Sequence, residues 1–280
     1  MDRLAFVDIG ELGWSLYLTA HVRWLKKNTD SQVIIISLPD RKCLYQEFAD
    51  EIVDIPEAFY KKYDLGIQDC FGLAYVNQSE LRAFFLPYVP KGYCLARYVQ
   101  LGCDKDASVV FNNRFIYAPY KYSKPPDDGK EIIIFPRRRL GIYEARNLPE
   151  RFYLNLIERL CDEFPKLIIR TIGTKNGAYN MKIDRFNYIN WIGRGESVQD
   201  MIDKCQSAVV AVGSQSAPPK ISLLQGVPTF MIGHQKGRHT IGENWMKTKA
   251  GFYEIGKKAY AKFNVDDCIV KTISFIRGCL

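Results

Sequence analysis

Two hydrophobic rhythms alternate along this chain. Short runs rich in Ile and Val are separated by longer stretches whose apolar residues return every three or four positions. The first kind reads as buried parallel strand and the second as helix laid on a sheet. Leu4–Ile9 predicts a strand that Gly10-Glu11-Leu12-Gly13 breaks. From Trp14 to Lys27, the residues Leu16, Leu18, Ala20, Val22, Trp24 and Leu25 predict a largely buried helix. It ends in lysines, which suit the negative end of a helix dipole. Asn28–Ser31 is a turn, Gln32–Leu38 a second strand, Cys43–Ala49 a short helix and Glu51–Ile55 a third strand. Strand, helix, strand in this order implies a right-handed parallel unit. Phe59–Tyr122 is rich in Tyr and Phe and carries only weak strand patterns, at Leu65-Gly66-Ile67 and Ser108-Val109-Val110.

Ser123-Lys124-Pro125-Pro126-Asp127-Asp128-Gly129-Lys130 reads as a linker, and after it the rhythm restarts. Strands are expected at Glu131–Phe135, Leu167–Ile172, Tyr188–Ile192, Ala208–Val212 and Thr229–Ile232. Helices are expected at Pro149–Phe164, Val198–Lys204, Ile221–Gln225 and Val265–Ile276. Two such halves predict two parallel-sheet α/β domains with a cleft between them. The expected division is an acceptor-side domain over 1–124, a nucleotide-binding domain over 125–264, and a C-terminal helix over 265–280 packing back on the first domain.

The stretch from Ser207 to Pro228 carries the most chemistry. A Val-rich strand stops at Gly213, Ser214-Gln215-Ser216-Ala217 follows, and a helical segment opens at Pro218-Pro219 and closes at Gly226-Val227-Pro228. A strand, a polar turn and a helix start aim backbone N–H groups at an anion. An ordinary serine-capped loop would read the same way. The chain has 280 residues, 47% hydrophobic and 25% charged, which is an ordinary globular composition. Its apolar runs are too short to span a bilayer, and its opening segment does not resemble a signal peptide. Eight scattered cysteines without metal-ligand spacing fit reduced thiols in a cytoplasmic protein. The net charge of +8 favours polyanionic partners, namely nucleotides, nucleic acid or an anionic membrane surface, or serves solubility alone.

Several segments resemble the ADP-heptose:lipopolysaccharide heptosyltransferase group of GT-B glycosyltransferases. Gly10-Glu11-Leu12-Gly13-Trp14 stands where that family has G-x-L-G-D, and Arg146-Asn147-Leu148-Pro149 stands at its basic loop and helix start. Ile168–Gly173 and Asn190-Trp191-Ile192-Gly193-Arg194 match its next two strand ends. Gln215-Ser216-Ala217-Pro218-Pro219-Lys220 fits its last motif, D-[ST]-G-x-x-H. The resemblance implies a GT-B-like fold of two Rossmann-like parallel-sheet domains facing a central cleft. It also implies inverting, metal-independent transfer from a nucleotide-diphosphate sugar, with no cofactor. Trp14 replaces the family acid, and Gln215 and Lys220 replace its Asp and His, so neither the family base nor its sugar carries over.

The residues suggest roles on this plan. Ser214, Gln215, Ser216, Ala217 and Lys220, with Arg137, Arg139 and Arg146, are expected to hold the diphosphate, since guanidinium groups grip phosphate in a two-pronged way. Gly173, Thr174, Lys175, Ile192 and Gly193 are expected at the nucleoside. Glu11 is the expected base, with Asp8 and Asp69 as further carboxylates. Gly13, Trp14, His234, Arg238, His239, Glu243 and Asn244 are expected at the donor sugar or acceptor. The acceptor is a saccharide or glycolipid. The alternatives are hydroxymethylated DNA bases as acceptor, or a nucleotide- or nucleic-acid-binding protein without catalysis.

Overall fold

The computed structural model describes residues 2–63, 65–66, 79–89, 93–95, 130–140, 144–195, 197–234, 248–256, 260 and 262–280. The chain divides into two units, Met1–Ala118 and Pro119–Leu280, with the division just ahead of the Pro-rich stretch. Among the described residues no helix is long and apolar enough to cross a membrane.

In the first unit β1 (Arg3–Asp8), α1 (Leu12–Asn28), β2 (Gln32–Ser37) and β3 (Glu51–Asp54) follow one another. They are succeeded by α2 (Glu57–Lys62), α3 (Ser79–Phe85) and β4 (Tyr93–Leu95). The sheet order is β3-β2-β1-β4, parallel throughout. Every residue of β2 after Gln32 is buried, as a central parallel strand requires. The helix expected over Cys43–Ala49 is instead a 3-10 turn at Pro39–Leu44. Pro39 opens this turn, and Arg41 within it reaches Asp8, Ser15 and the carbonyl of Gly10, while Leu44 and the adjacent Tyr45 are buried with it. Leu65 and Gly66 form a turn tied to Ile9 O by the Gly66 N–H, at 2.9 Å, so no strand forms there. Ile67 and the 108–110 pattern lie outside the described residues.

The second unit runs β5 (Glu131–Phe135), α4 (Glu150–Glu163), β6 (Ile168–Thr171), β7 (Tyr188–Asn190), α5 (Val198–Cys205), β8 (Ala208–Ser214), α6 (Ala217–Leu224), β9 (Thr229–Gly233), β10 (Ala250–Glu254) and α7 (Val265–Arg277). Its parallel sheet has the order β10-β9-β8-β5-β6-β7. Counted within the unit this is the Rossmann order 3-2-1-4-5-6, with the switch point between β5 and β8. The edge strand β10 is half-exposed and contains Gly251, so it lacks the apolar run that would mark it in sequence. Ile132 and Ile134 of β5, Phe152 and Leu156 of α4, and Val210 and Val212 of β8 form one core with Cys268, Ile269, Ile273 and Ile276 of α7. The closing helix therefore uses its apolar stripe within the second unit, and Phe275 meets Phe230 at 5.4 Å between ring centroids.

The amino ends of the sheet are locked by charge. Arg170 donates Nε to Glu131 Oε2 at 2.9 Å and Nη2 to Oε1 at 2.5 Å. Ser207 Oγ adds a bond at 3.0 Å, and Lys204 Nζ stands 3.7 Å away. Burial works to raise the Glu131 carboxyl, but the bonds and charge of Arg170, with Lys204 and Ser207, outweigh it and hold the group below its ordinary value. A depressed carboxyl stabilises the fold above its unfolded value of about 4.3 and loses that contribution as pH falls through the folded one. Arg170→Met, which strands a buried carboxylate, is expected to destabilise the protein by about 3 kcal/mol at pH 7. Glu131→Gln with Arg170→Met should recover part of the loss, and both variants should show a flatter decline between pH 5 and 3 than the wild type. Urea-unfolding midpoints across pH test this.

Candidate functional site

The site forms where the strands of the second unit end. Parallel strands deliver all their carboxyl ends to one edge, and ligands enter where neighbouring connections leave on opposite faces. Here that place lies between the ends of β5 and β8, which pair Phe135 with Gly213. Arg137 follows β5, and Ser214, Gln215 and Ser216 follow Gly213 into α6. A methyl group on Gly213 would stand 2.6 Å from Pro219 Cγ and 3.0 Å from Phe135 Cβ, so glycine is needed for the helix start to sit this close to the strand end.

The turn into α6 differs in detail from the expected grip. Ser216 is the N-cap, with no side-chain capping bond. Its hydroxyl donates to Ser214 O at 3.0 Å. Pro218 and Pro219 have no N–H, so of the first three helical residues only Ala217 offers one. Gln215 binds β9 on two counts: its N–H donates to Ile232 O at 2.8 Å, and its Oε1 accepts from the His234 N–H at 3.0 Å. Lys220 is buried on α6. The helix dipole remains, but it presents few donors.

Guanidinium groups stand beside it. The charges of Arg137 and Arg146, nine residues apart, both act on the hydroxyl of Tyr260. Arg137 also acts on Tyr153. Burial raises the Tyr153 hydroxyl, and the Ser214 hydroxyl and the Arg137 charge oppose it. Ser214 Oγ and Tyr153 Oη are fully buried, and neither makes a hydrogen bond of good geometry among the described residues. Such groups are normally satisfied by protein, water or ligand.

The neighbouring loops are stitched together. Asn147 Oδ1 accepts the Arg139 N–H at 2.9 Å while its Nδ2 donates to Arg139 O at 2.6 Å, holding the basic loop against the segment that carries Arg146. Arg137 bridges to Ala178, and the Arg138 N–H donates to Gly177 O at 2.9 Å. The Gly193 N–H donates to Gly173 O at 2.9 Å, so both glycines expected at the nucleoside meet, with Thr174 and Lys175 exposed beside them and Ile192 half-buried. Asn190 Oδ1 accepts the Ile192 N–H at 3.0 Å. Tyr153, Asn147 and Tyr260 were not singled out in the sequence; an Asn two residues before a helical Pro-Glu start is a weak cue for Asn147, and nothing marks the tyrosines. Asp69, Arg238, His239, Glu243 and Asn244 lie outside the described residues. Among the described residues no cluster of His, Cys, Asp or Glu is placed to hold a metal ion.

In the first unit Glu11 is the N-cap of α1, half-buried and extended, and its carboxylate makes no capping bond. Gly13 lies inside the first turn with open space around its Cα. Trp14 is 5% exposed, and its indole covers Gly10, where a methyl group would collide with the ring. It is a core residue here. Asp8 is completely buried: Oδ1 accepts from Arg41 Nη1 at 2.9 Å and Oδ2 from the Tyr45 hydroxyl at 2.6 Å. Burial and the charge of Asp8 push the Tyr45 hydroxyl well up, so it stays a donor. Arg41 also reaches Ser15 Oγ at 3.0 Å and the carbonyl of Gly10. Asp8 thus ties the end of β1, through Arg41 and Tyr45, to the segment from Gly10 to Ser15.

Both units are parallel α/β layers, the second in Rossmann order with Arg137 following β5 at its switch point, and the fold they match is GT-B-like. No protein-family model matches the chain, and no curated protein matches it in sequence. Solved structures do. The glycosyl transferase family 9 structure from Veillonella parvula matches at a TM-score of 0.65 and 10% identity, over 99% of this chain and 97% of that one. The E. coli heptosyltransferase WaaC with ADP matches at 0.59 and 12%, over 99% and 100%. E. coli ADP-heptose LPS heptosyltransferase II matches at 0.56 and 11%, over 98% and 99%. The likeness in fold spans both units.

Asp8→Ala, which leaves Arg41 buried and unneutralised, is expected to lower stability by about 3–5 kcal/mol. Urea-unfolding midpoints of this variant and the wild type measure the loss.

Proposed function

We propose that the protein is a glycosyltransferase that moves a sugar from a nucleotide-diphosphate donor to a hydroxyl of a saccharide or glycolipid, with inversion at the anomeric carbon. The observation that carries this reading is the switch point, where the loop that carries Arg137 and the turn into α6 leave the paired strand ends Phe135 and Gly213; the charges of Arg137 and Arg146 both reach the nearby Tyr260. A crevice with two guanidinium groups and a helix start suits two adjacent phosphates. The full-length likeness in fold to a family 9 glycosyl transferase and to heptosyltransferases supports it.

On this reading the second unit binds the donor. The joined loops at Gly173 and Gly193 flank the nucleoside, and Arg137, Arg146 and the turn at Ser214–Ala217 hold the diphosphate. Glu11 of the first unit takes the proton from the acceptor hydroxyl. The acceptor oxygen then bonds to the anomeric carbon as the bond to the diphosphate breaks. The electron pair leaves with the diphosphate, whose growing charge the guanidinium groups and the helix dipole stabilise. The sparse N–H supply at α6 gives the arginines the larger share of that task.

Incubation with a panel of nucleotide sugars should release a nucleoside diphosphate with one of them. Glu11→Gln should cut that turnover by about 10²–10⁴ and leave nucleotide affinity within about twofold. Arg146→Ala and Arg137→Ala should each weaken nucleoside-diphosphate binding about tenfold or more, as loss of a charge-assisted bond predicts. Unchanged affinity in both arginine variants would remove the diphosphate from this crevice.

A further inference from the structure

His234 stands directly after β9, and three observations fix how it is held. Its backbone N–H donates to Gln215 Oε1 at 3.0 Å, which binds it to the turn leading into α6. Its Nδ1 lies 2.8 Å from the hydroxyl of Tyr260. The two rings meet edge-on, with centroids 5.9 Å apart at 73°. Tyr260 is 1% exposed, so the hydroxyl cannot turn to solvent, and His234 is only half-buried.

The electrostatics choose the direction of this bond. Tyr260 lies in the field of Arg146 and Arg137. Guanidinium groups only donate, so they favour a phenol that turns oxygen lone pairs toward them and its hydrogen away. The nitrogen 2.8 Å off is the acceptor available to that hydrogen. Burial raises the phenol despite the two arginines, which keeps it protonated. A neutral imidazole that accepts at Nδ1 carries its hydrogen on Nε2.

We infer that His234, held in its Nε2–H tautomer by the hydroxyl of Tyr260, donates a hydrogen bond to the donor's diphosphate, with Tyr260 as the positioning residue. This rests on the nucleotide-diphosphate reading above. His234 was expected from sequence at the sugar or acceptor; its links to Gln215 and to the tyrosine on which Arg137 and Arg146 act favour the phosphates on this reading. A neutral donor of this kind supplies what Pro218 and Pro219 withhold at the helix start. It also adds no charge that would hinder release of the product.

The test uses the full chain, with ADP and inorganic pyrophosphate as probes in calorimetric titrations, and imidazole 15N spectra of the same samples. The wild type should show the Nε2–H tautomer. Tyr260→Phe should lose that single-tautomer signature and bind both probes about five- to tenfold more weakly. His234→Ala should bind about tenfold more weakly. His234→Gln, whose amide N–H stands near the Nε2 position, should stay within about threefold of wild type. An Nδ1–H tautomer in the wild type, or wild-type affinity in both Tyr260→Phe and His234→Ala, overturns the inference and leaves the diphosphate site standing. Failure of the wild type to bind either probe overturns both readings together.

Discussion

A parallel sheet whose strand order reverses at its centre gathers its carboxyl ends on one edge, and the connections on either side of the reversal must leave on opposite faces. The second unit is governed by that constraint. Because β5 and β8 are neighbours in the sheet and distant in the chain, the loop after Phe135 and the turn after Gly213 part from each other and open a crevice between them. Arg137 follows β5, His234 follows β9 and α6 follows β8 at this same edge, so topology, and no shared local motif, gathers them there. The amino edge has the opposite character. There Glu131, Arg170, Ser207 and Lys204 saturate one another, and the sheet is closed to further polar partners.

Charge compensation in the crevice follows from the local sequence of α6. Most helix starts that hold an anion do so with several orphan N–H groups as well as the dipole. Two prolines in the first turn keep the pre-set backbone angle and the dipole but remove two donors. Side chains therefore have to supply the hydrogen bonds. The surroundings match: two guanidinium groups, a tyrosine–histidine pair and the Ala217 N–H around one turn. On the proposed reading, guanidinium charge also fits a leaving group that becomes more negative as the sugar departs, because attraction to it grows toward the transition state.

The regular parts of this architecture were written in local periodicity. β1, α1, β2, β5, α4 and β8 follow from apolar runs and helical stripes, because each buries a face whose pattern is visible in a few residues. What escaped was set by distant partners. The turn at Pro39–Leu44 follows from the demand of Asp8 for Arg41, and β10 is a half-exposed edge strand completed by its neighbour β9. In the site, the arginines and the serine turn were visible as types of chemistry. The uses of Gln215, Asn147, Tyr153 and Tyr260 were not, because a side chain bonded across the fold leaves no trace at its own position. Trp14 shows the converse. In a loop read as functional it draws attention, yet its indole fills the space over Gly10.

Buried polar groups separate the two kinds of place in this molecule. Asp8 with Arg41 and Tyr45, and Glu131 with Arg170, have partners for their charges at short range. The buried amides of Asn187 and Gln225 each lack a partner on the oxygen, yet their nitrogens are bonded, so each is at least half satisfied. Ser214 and Tyr153 differ: in each, the side chain's sole polar atom is buried without a partner among the described residues. Leaving such a hydroxyl unsatisfied costs about 1–3 kcal/mol, and a methyl in place of each would avoid the cost. The stability of the fold gives no reason to keep them. They adjoin one another beside Arg137, whose charge and backbone act on the Tyr153 hydroxyl, and on the proposed reading an ordered water or the bound donor completes the hydrogen bonds there.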